Sequence, residues 1–178
     1  MEERGGPWVQ VASGRKFWPL DPRVEEIHLG DIAHSLAHLC RFGGHTSTFY
    51  SVAQHSVQVS LLVPPKHALW ALLHDSAEAY LGDMTSPLKE WNQLYSLWEE
   101  QILRTIAQRF GLPWPMPPEV HQADRILLIT EARDFMGDPD WASALGTHLG
   151  IKPLLLPLDP LPPLTARAMF LARFSELV

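Results

Sequence analysis

Apolar side chains recur along this chain at three- and four-residue intervals far more than at two, the spacing of a helix face rather than of a strand. From Ser51 to Val63 the residues Val52, Val59, Leu62 and Val63 fall at helical intervals, with Ser51 placed to cap the start and Pro64-Pro65 to end the run. The pattern predicts a second helix from about Lys66 to Tyr80, where Ala68, Leu69, Leu72, Leu73 and Ala79 supply the buried stripe and Gly82 follows the end. After the loop Leu81 to Pro87, the segment Leu88 to Phe110 carries Trp91, Leu94, Leu97, Trp98, Ile102, Ile106 and Phe110 at helical spacing, and Gly111 stops it. The proline-rich stretch Leu112 to Pro118 reads as an extended connector, and Glu119 to Phe135 resumes a helical pattern. A second proline-rich stretch, Pro153 to Pro163, precedes a last short helix from about Thr165 to Leu177. Upstream, Ile32 to Leu39 reads as a helix with Asp31 as its N-cap, and only Trp8 to Val11 shows a weak alternation. The expectation is an all-α helical bundle, one domain over residues 1–178, with the prolines forming rigid connectors and no internal repeat.

Composition narrows the function classes. With 178 residues and 46% hydrophobic side chains, the chain can build one sizeable core. The net charge of -6 arises from 14 basic and 20 acidic residues without a run of like charges, so a surface for a nucleic-acid polymer is not expected. A single nucleotide needs only one or two well-placed cations and stays open as a substrate. The lone Cys40 cannot form an internal disulfide, and Met1 to Val11 is charged and Gly-rich without an apolar signal region, which points to the cytoplasm. The strongly apolar stretches, Leu69 to Leu73 and Ile126 to Ile129, are far too short to cross a membrane.

Chemistry enters at His74-Asp75, an ionisable pair inside the apolar string Leu72-Leu73-His74-Asp75-Ser76-Ala77-Glu78. Burying such a pair costs several kcal/mol unless something compensates the charge, and a divalent cation would do so. On a helix Glu78 falls on nearly the same face one turn later. His55 holds a similar place on the preceding helix, and Asp124 interrupts the apolar periodicity of a later one. If the helices share one core, two imidazoles and two carboxylates converge on one ion. That mixed N/O set suits Mn, Fe, Co, Ni or Zn better than Ca. Spacing alone leaves a second reading open, in which His74 and Asp75 are a hydrogen-bonded structural pair and His55 and Asp124 lie on helix surfaces.

The order His55, His74-Asp75, Asp124 resembles the signature of the HD-domain superfamily of metal-dependent phosphohydrolases. The likeness runs over residues 41–131 and is closest to the bacterial 5′-deoxynucleotidases and related phage deoxynucleotide phosphohydrolases. It rests on the strings Ser51-Val52-Ala53-Gln54-His55-Ser56, His74-Asp75-Ser76-Ala77-Glu78, Leu81-Gly82-Asp83-Met84-Thr85-Ser86-Pro87-Leu88-Lys89 and Gln122-Ala123-Asp124. The resemblance implies one divalent transition metal ion on His55, His74, Asp75 and Asp124, with Glu78 as the catalytic carboxylate. It implies a substrate loop of Asp83, Met84, Thr85 and Ser86, in which Asp83 meets the deoxyribose, and Arg41 as the residue that orients the phosphate. The branch has Pro-Thr where this chain has Thr85-Ser86, and Arg-Trp where it has Arg41-Phe42. The implied activity is release of phosphate from deoxyribonucleoside 5′-monophosphates, with dNTP triphosphohydrolysis on the same centre or a non-catalytic nucleotide sensor as alternatives. A homo-oligomer is implied as well.

Other residues carry weaker signals. His45, after Gly43-Gly44, is a candidate pocket residue, and Lys89 a candidate for charge near the phosphate. His28, His34 and His38 with Asp31 have the spacing of a second metal site but equally of capping and surface roles. Arg15, Phe17, Trp18 and Pro19 resemble an N-terminal element of the phage-type members and receive no role.

Overall fold

The computed structural model describes residues 4–178; Met1, Glu2 and Glu3, part of the N-terminal segment read above as lacking a signal region, lie outside it. The fold is all-α apart from one hairpin, in which β1 (Val9–Gln10) pairs antiparallel with β2 (Lys16–Phe17). α1 spans Leu29–His38, α2 Val52–Leu62, α3 Ala68–Leu73, α4 Glu78–Leu81, α5 Ser86–Trp91 and α6 Gln93–Phe110. α7 spans Pro118–Phe135, α8 Pro139–Leu149 and α9 Pro163–Leu177.

α2 is the centre of the packing, touching α1, α3, α7 and α9. Its residues Val52 to Val57, together with Val59 and Ser60, are buried, so it has almost no solvent face. Ser51 caps its start by accepting from Gln54 N–H, as its sequence position predicts. Its polar side chains are nonetheless satisfied. Ser56 Oγ donates to the Val52 carbonyl, while Gln54 Nε2 donates to the Asp159 carbonyl at 2.7 Å and Gln54 Oε1 accepts from Leu161 N–H at 2.9 Å. The core packed around this helix includes Phe17, Ile32, Leu36, Leu72, Leu73, Ile102, Ile106 and Phe170.

Both proline-rich connectors are tied down. Trp70 Nε1 donates to the Pro113 carbonyl at 2.6 Å. Leu154 N–H donates to Thr130 Oγ1, and Leu158 N–H donates to Asp134 Oδ2 at 2.8 Å. Backbone amides that a regular element would have paired are thus satisfied by side chains of α7.

Four expectations need correction. The helix read over Lys66 to Tyr80 is two: α3 stops at Leu73, and residues 74–77 form a tight turn before α4. Ser76 N–H bonds to the Leu73 carbonyl and Glu78 N–H to the Asp75 carbonyl, so the backbone tightens to three-residue steps there. The helix read over Leu88 to Phe110 breaks at Asn92, whose side chain accepts from Tyr95 N–H and starts α6. Its expected apolar stripe is only partly buried, since Trp91 is 91% exposed and Leu94 and Leu97 are each 59% exposed. Asp31 does not cap α1, which begins at Leu29; instead it is buried and accepts from Ser13 N–H and Ser13 Oγ. α8 was not anticipated, although Asp138 caps its start, Pro139 opens its first turn and Gly150 closes it at φ 67°.

α8 sits on α7 through Gly146, where an added Cβ would meet the Ile151 carbonyl oxygen at 2.9 Å and Ile129 Cγ2 at 3.2 Å. The nearer atom is backbone and cannot swing aside. Gly146→Ala is therefore expected to destabilise the protein by about 1–3 kcal/mol, as overpacking does. Thermal unfolding checks this, with a fall of about 2–4 °C for each kcal/mol.

Candidate metal centre

Three side chains from three helices meet at one point. The nearest ligand atoms of His55 on α2, His74 just after α3 and Asp124 on α7 all lie within 4.8 Å of one another. His55 Nε2 is 3.3 Å from His74 Nε2 and 3.2 Å from Asp124 Oδ1. Asp75 joins from the side: its Oδ2 is 3.2 Å from His74 Nε2 and 3.6 Å from His55 Nε2. All four residues that the sequence pattern singled out thus meet, with Asp75 next to the tight trio of the other three.

Hydrogen bonding fixes what the two imidazoles present to each other. His55 Nδ1 lies 2.6 Å from Glu131 Oε1, and His74 Nδ1 lies 2.8 Å from the Ala71 carbonyl oxygen. An ionised carboxylate and a carbonyl only accept, so both Nδ1 atoms carry their protons. In the neutral rings both Nε2 lone pairs then face each other and two carboxylate oxygens. Such a group of acceptors needs a cation, either extra protons or a metal ion with N/O preference. His55, His74 and Asp124 could hold a divalent ion, and the chemistry of this donor set fits one.

The electrostatics agree with that reading. Burial and Arg41 oppose charge on His55, but Glu131 and Asp124 overcome them and raise it to about 9. Burial resists ionisation of Asp75, yet the His74, His55 and Arg41 charges hold it well below the usual carboxylate range. Glu78 goes the other way: burial first, then Asp75 and Asp83, push it well above that range. Its Oε2 is buried and makes no hydrogen bond among the described residues.

Arg41 is brought alongside by a short antiparallel bridge between Cys40 and Ser51, in which Arg41 N–H donates to the Tyr50 carbonyl and Val52 N–H to the Leu39 carbonyl. Its guanidinium lies 3.9 Å from Asp75 Oδ2. Arg41 also lines a cavity of about 570 Å³, together with the predicted loop residues Asp83, Met84, Thr85 and Ser86. Phe42, His45, Leu128, Met136, Trp141 and Leu145 complete its wall. Phe42 holds φ 54° and ψ 33°, a left-handed conformation that costs a non-glycine residue about 1–3 kcal/mol and puts its ring edge-on to Trp141. A second cavity, of about 550 Å³ between α7 and α8, contains none of the predicted site residues.

The remaining candidates do not join this centre. Lys89 Nζ pairs with Glu99 Oε1 at 2.7 Å and does not line the cavity, although its charge acts on Glu78 and Asp83. His34 and His38 stack on each other with centroids 4.4 Å apart, and His38 Nδ1 donates to the His34 carbonyl. With Asp31 committed to Ser13, these histidines make no ion-binding group among the described residues. Phe17 stacks on Tyr80 in the core, and Trp18 receives the Arg4 guanidinium on its ring face.

Residue-by-residue reading missed Glu131, Trp141 and Leu145. Glu131 is fully buried and follows Asp124 by two helical turns, so an acid at that point of the α7 periodicity was a visible signal. Trp141 and Leu145 sit on the unanticipated α8.

The fold is all-α, with a cluster of His55, His74 and Asp124 that could hold a metal ion and, beside it, Arg41 on the wall of a cavity. No family model matches the chain. It belongs to the family of the uncharacterized protein YfdR of Escherichia coli (strain K12), to which it is 41% identical over 96% of this chain and 95% of that protein. A Rhodobacter capsulatus uncharacterized protein is 32% identical over the same shares. No helix among the described residues is long and apolar enough to cross a membrane.

His74→Ala or Asp124→Ala each deletes one of the converging ligands. Each is expected to weaken Co²⁺ binding at least about tenfold in calorimetric titration, and unchanged affinity would exclude the cluster as an ion site. The metal-free protein should also respond to pH. A histidine raised in the folded state contributes stability that is complete below its unfolded value near 6.5 and is lost as pH rises through about 9. With a chelator present, the melting temperature is expected to be lower at pH 9.5 than at pH 7; a higher one would contradict the assigned protonation.

Proposed function

We propose that this protein is a metal-dependent phosphohydrolase of the HD-domain superfamily that releases phosphate from deoxyribonucleoside 5′-monophosphates. One observation carries the reading: Arg41, which lines a cavity of small-molecule size, lies 3.9 Å from Asp75 beside the cluster that could hold a metal ion.

His55, His74, Asp75 and Asp124 would hold the ion, of the Mn, Fe, Co, Ni or Zn type. A divalent ion at such a site polarises water and the phosphoryl oxygen and neutralises charge as it develops. Arg41 binds the phosphate, since its guanidinium stays charged and its planar fork matches phosphate oxygens. Water attacks phosphorus, the bond from phosphorus to the 5′ oxygen breaks, and nucleoside and inorganic phosphate leave. Glu78, a buried carboxyl with an unengaged Oε2, takes the proton from the attacking water or returns it to the departing oxygen.

The cavity wall supports a nucleoside rather than a bare phosphate ester. Phe42, Trp141, Leu145 and Leu128 give a base an apolar and aromatic surface, while Asp83 offers a carboxylate to a sugar hydroxyl. Arg41 is the one permanently charged cation among the lining residues, which favours a monophosphate over a triphosphate.

Phosphate release from dNMPs, NMPs and dNTPs with Co²⁺, Mn²⁺, Mg²⁺ or chelator is the direct test. Release from dNMPs, dependent on added metal, is expected. Release from dNTPs alone would move the assignment to a triphosphohydrolase, and no release from any of them would leave the nucleotide-sensor reading. Glu78→Gln is expected to retain Co²⁺ affinity while kcat falls about 10²–10⁴-fold.

A further inference from the structure

Glu131 is 0% exposed, and its two oxygens serve two different functional residues. Oε1 accepts from His55 Nδ1–H at 2.6 Å, and Oε2 accepts from Arg41 Nε–H at 3.1 Å. Neither bond has an easy substitute. The guanidinium has only donors, and His55 Nδ1 must keep its proton if Nε2 is to face His74 and Asp124 with a lone pair. A buried carboxylate is costly unless both oxygens are engaged, and here the two donors come from α2 and from the turn at Arg41. The chain thus anchors one ion ligand and the arginine of the cavity edge on a single side chain of α7.

We propose that Glu131 is a positioning residue that links metal affinity to phosphate affinity. It sets the tautomer and ring orientation of His55, and it holds the Arg41 fork beside Asp75. The proposal rests on the metal and phosphate roles assigned above. Glutamine has the shape of Glu131 but only one acceptor oxygen; its amide N–H₂ would confront either His55 Nδ1–H or Arg41 Nε–H. One of the two residues must then lose its hold.

The test measures Co²⁺ affinity by competition with a chromophoric chelator, and inorganic phosphate affinity of the Co²⁺-saturated protein by calorimetry. Wild type, Glu131→Gln and Arg41→Met are compared well below their melting temperatures. Expected for Glu131→Gln is a loss of about 10–100-fold in Co²⁺ affinity, the range seen when the partner of a metal-bound histidine is removed. Phosphate binding should weaken too, while Arg41→Met weakens phosphate binding with a smaller effect on Co²⁺. A Glu131→Gln protein that melts lower yet binds Co²⁺ and phosphate within twofold of wild type overturns the proposal and leaves a purely structural ion pair. Wild type that binds no divalent ion overturns the metal reading itself, and the proposal with it. A second measurement needs no variant at Glu131: in Zn²⁺-loaded protein with ¹⁵N-labelled histidine, assigned through His55→Asn, the His55 imidazole should carry its proton on Nδ1. An unprotonated Nδ1 overturns the proposal.

Discussion

Two imidazole nitrogens held 3.3 Å apart, each with its ring partner already donating a proton elsewhere, set the terms for this molecule. Such an arrangement is repulsive in isolation, and the two carboxylates beside it add more negative charge. The fold accepts it because α2 and α7 are locked by an extensive apolar core and by fully used polar side chains, which keeps the acceptors from drifting apart. A cluster held in this way could take a metal ion.

The tight turn after α3 shapes this centre. A continuous α-helix would place Glu78 nearest to His74, four positions earlier; three-residue steps bring it into line with Asp75 instead. The two carboxyls shift in opposite directions: burial, then Asp75 and Asp83, push Glu78 up, while the His74, His55 and Arg41 charges hold Asp75 down.

Several helix boundaries were marked locally by side chains or punctuation. Ser51, Gly111 and the proline runs mark real ends, and all four residues of the proposed ligand set meet in space. What escaped was partly local and partly non-local. The break at Asn92 depends on its side chain turning back to Tyr95 N–H, and the exposure of Trp91 depends on which helix lies opposite, neither of which periodicity records. Asp31 looked like a cap, but its partners come from the hairpin turn at Ser13. Glu131 lay within the predicted helix, yet its meaning required knowing that His55 and Arg41 approach it from segments far away in sequence. α8 is the plainest omission, for its cap, opening proline and closing glycine were all present.

The second proline-rich connector is fastened to α7 at Thr130 and Asp134 and to α2 at Gln54, the helices that bear Asp124 and His55. Between those fastenings Leu155 is 99% exposed and Leu156 79% exposed. The strap thus turns two leucine side chains to solvent, although the Leu156 carbonyl still accepts from Arg133 Nη2 at 3.2 Å. A fluorophore attached at the Leu155 side-chain position would face solvent, whereas one attached a few residues later, at Leu161, would pull on Gln54 and so on the helix that carries His55.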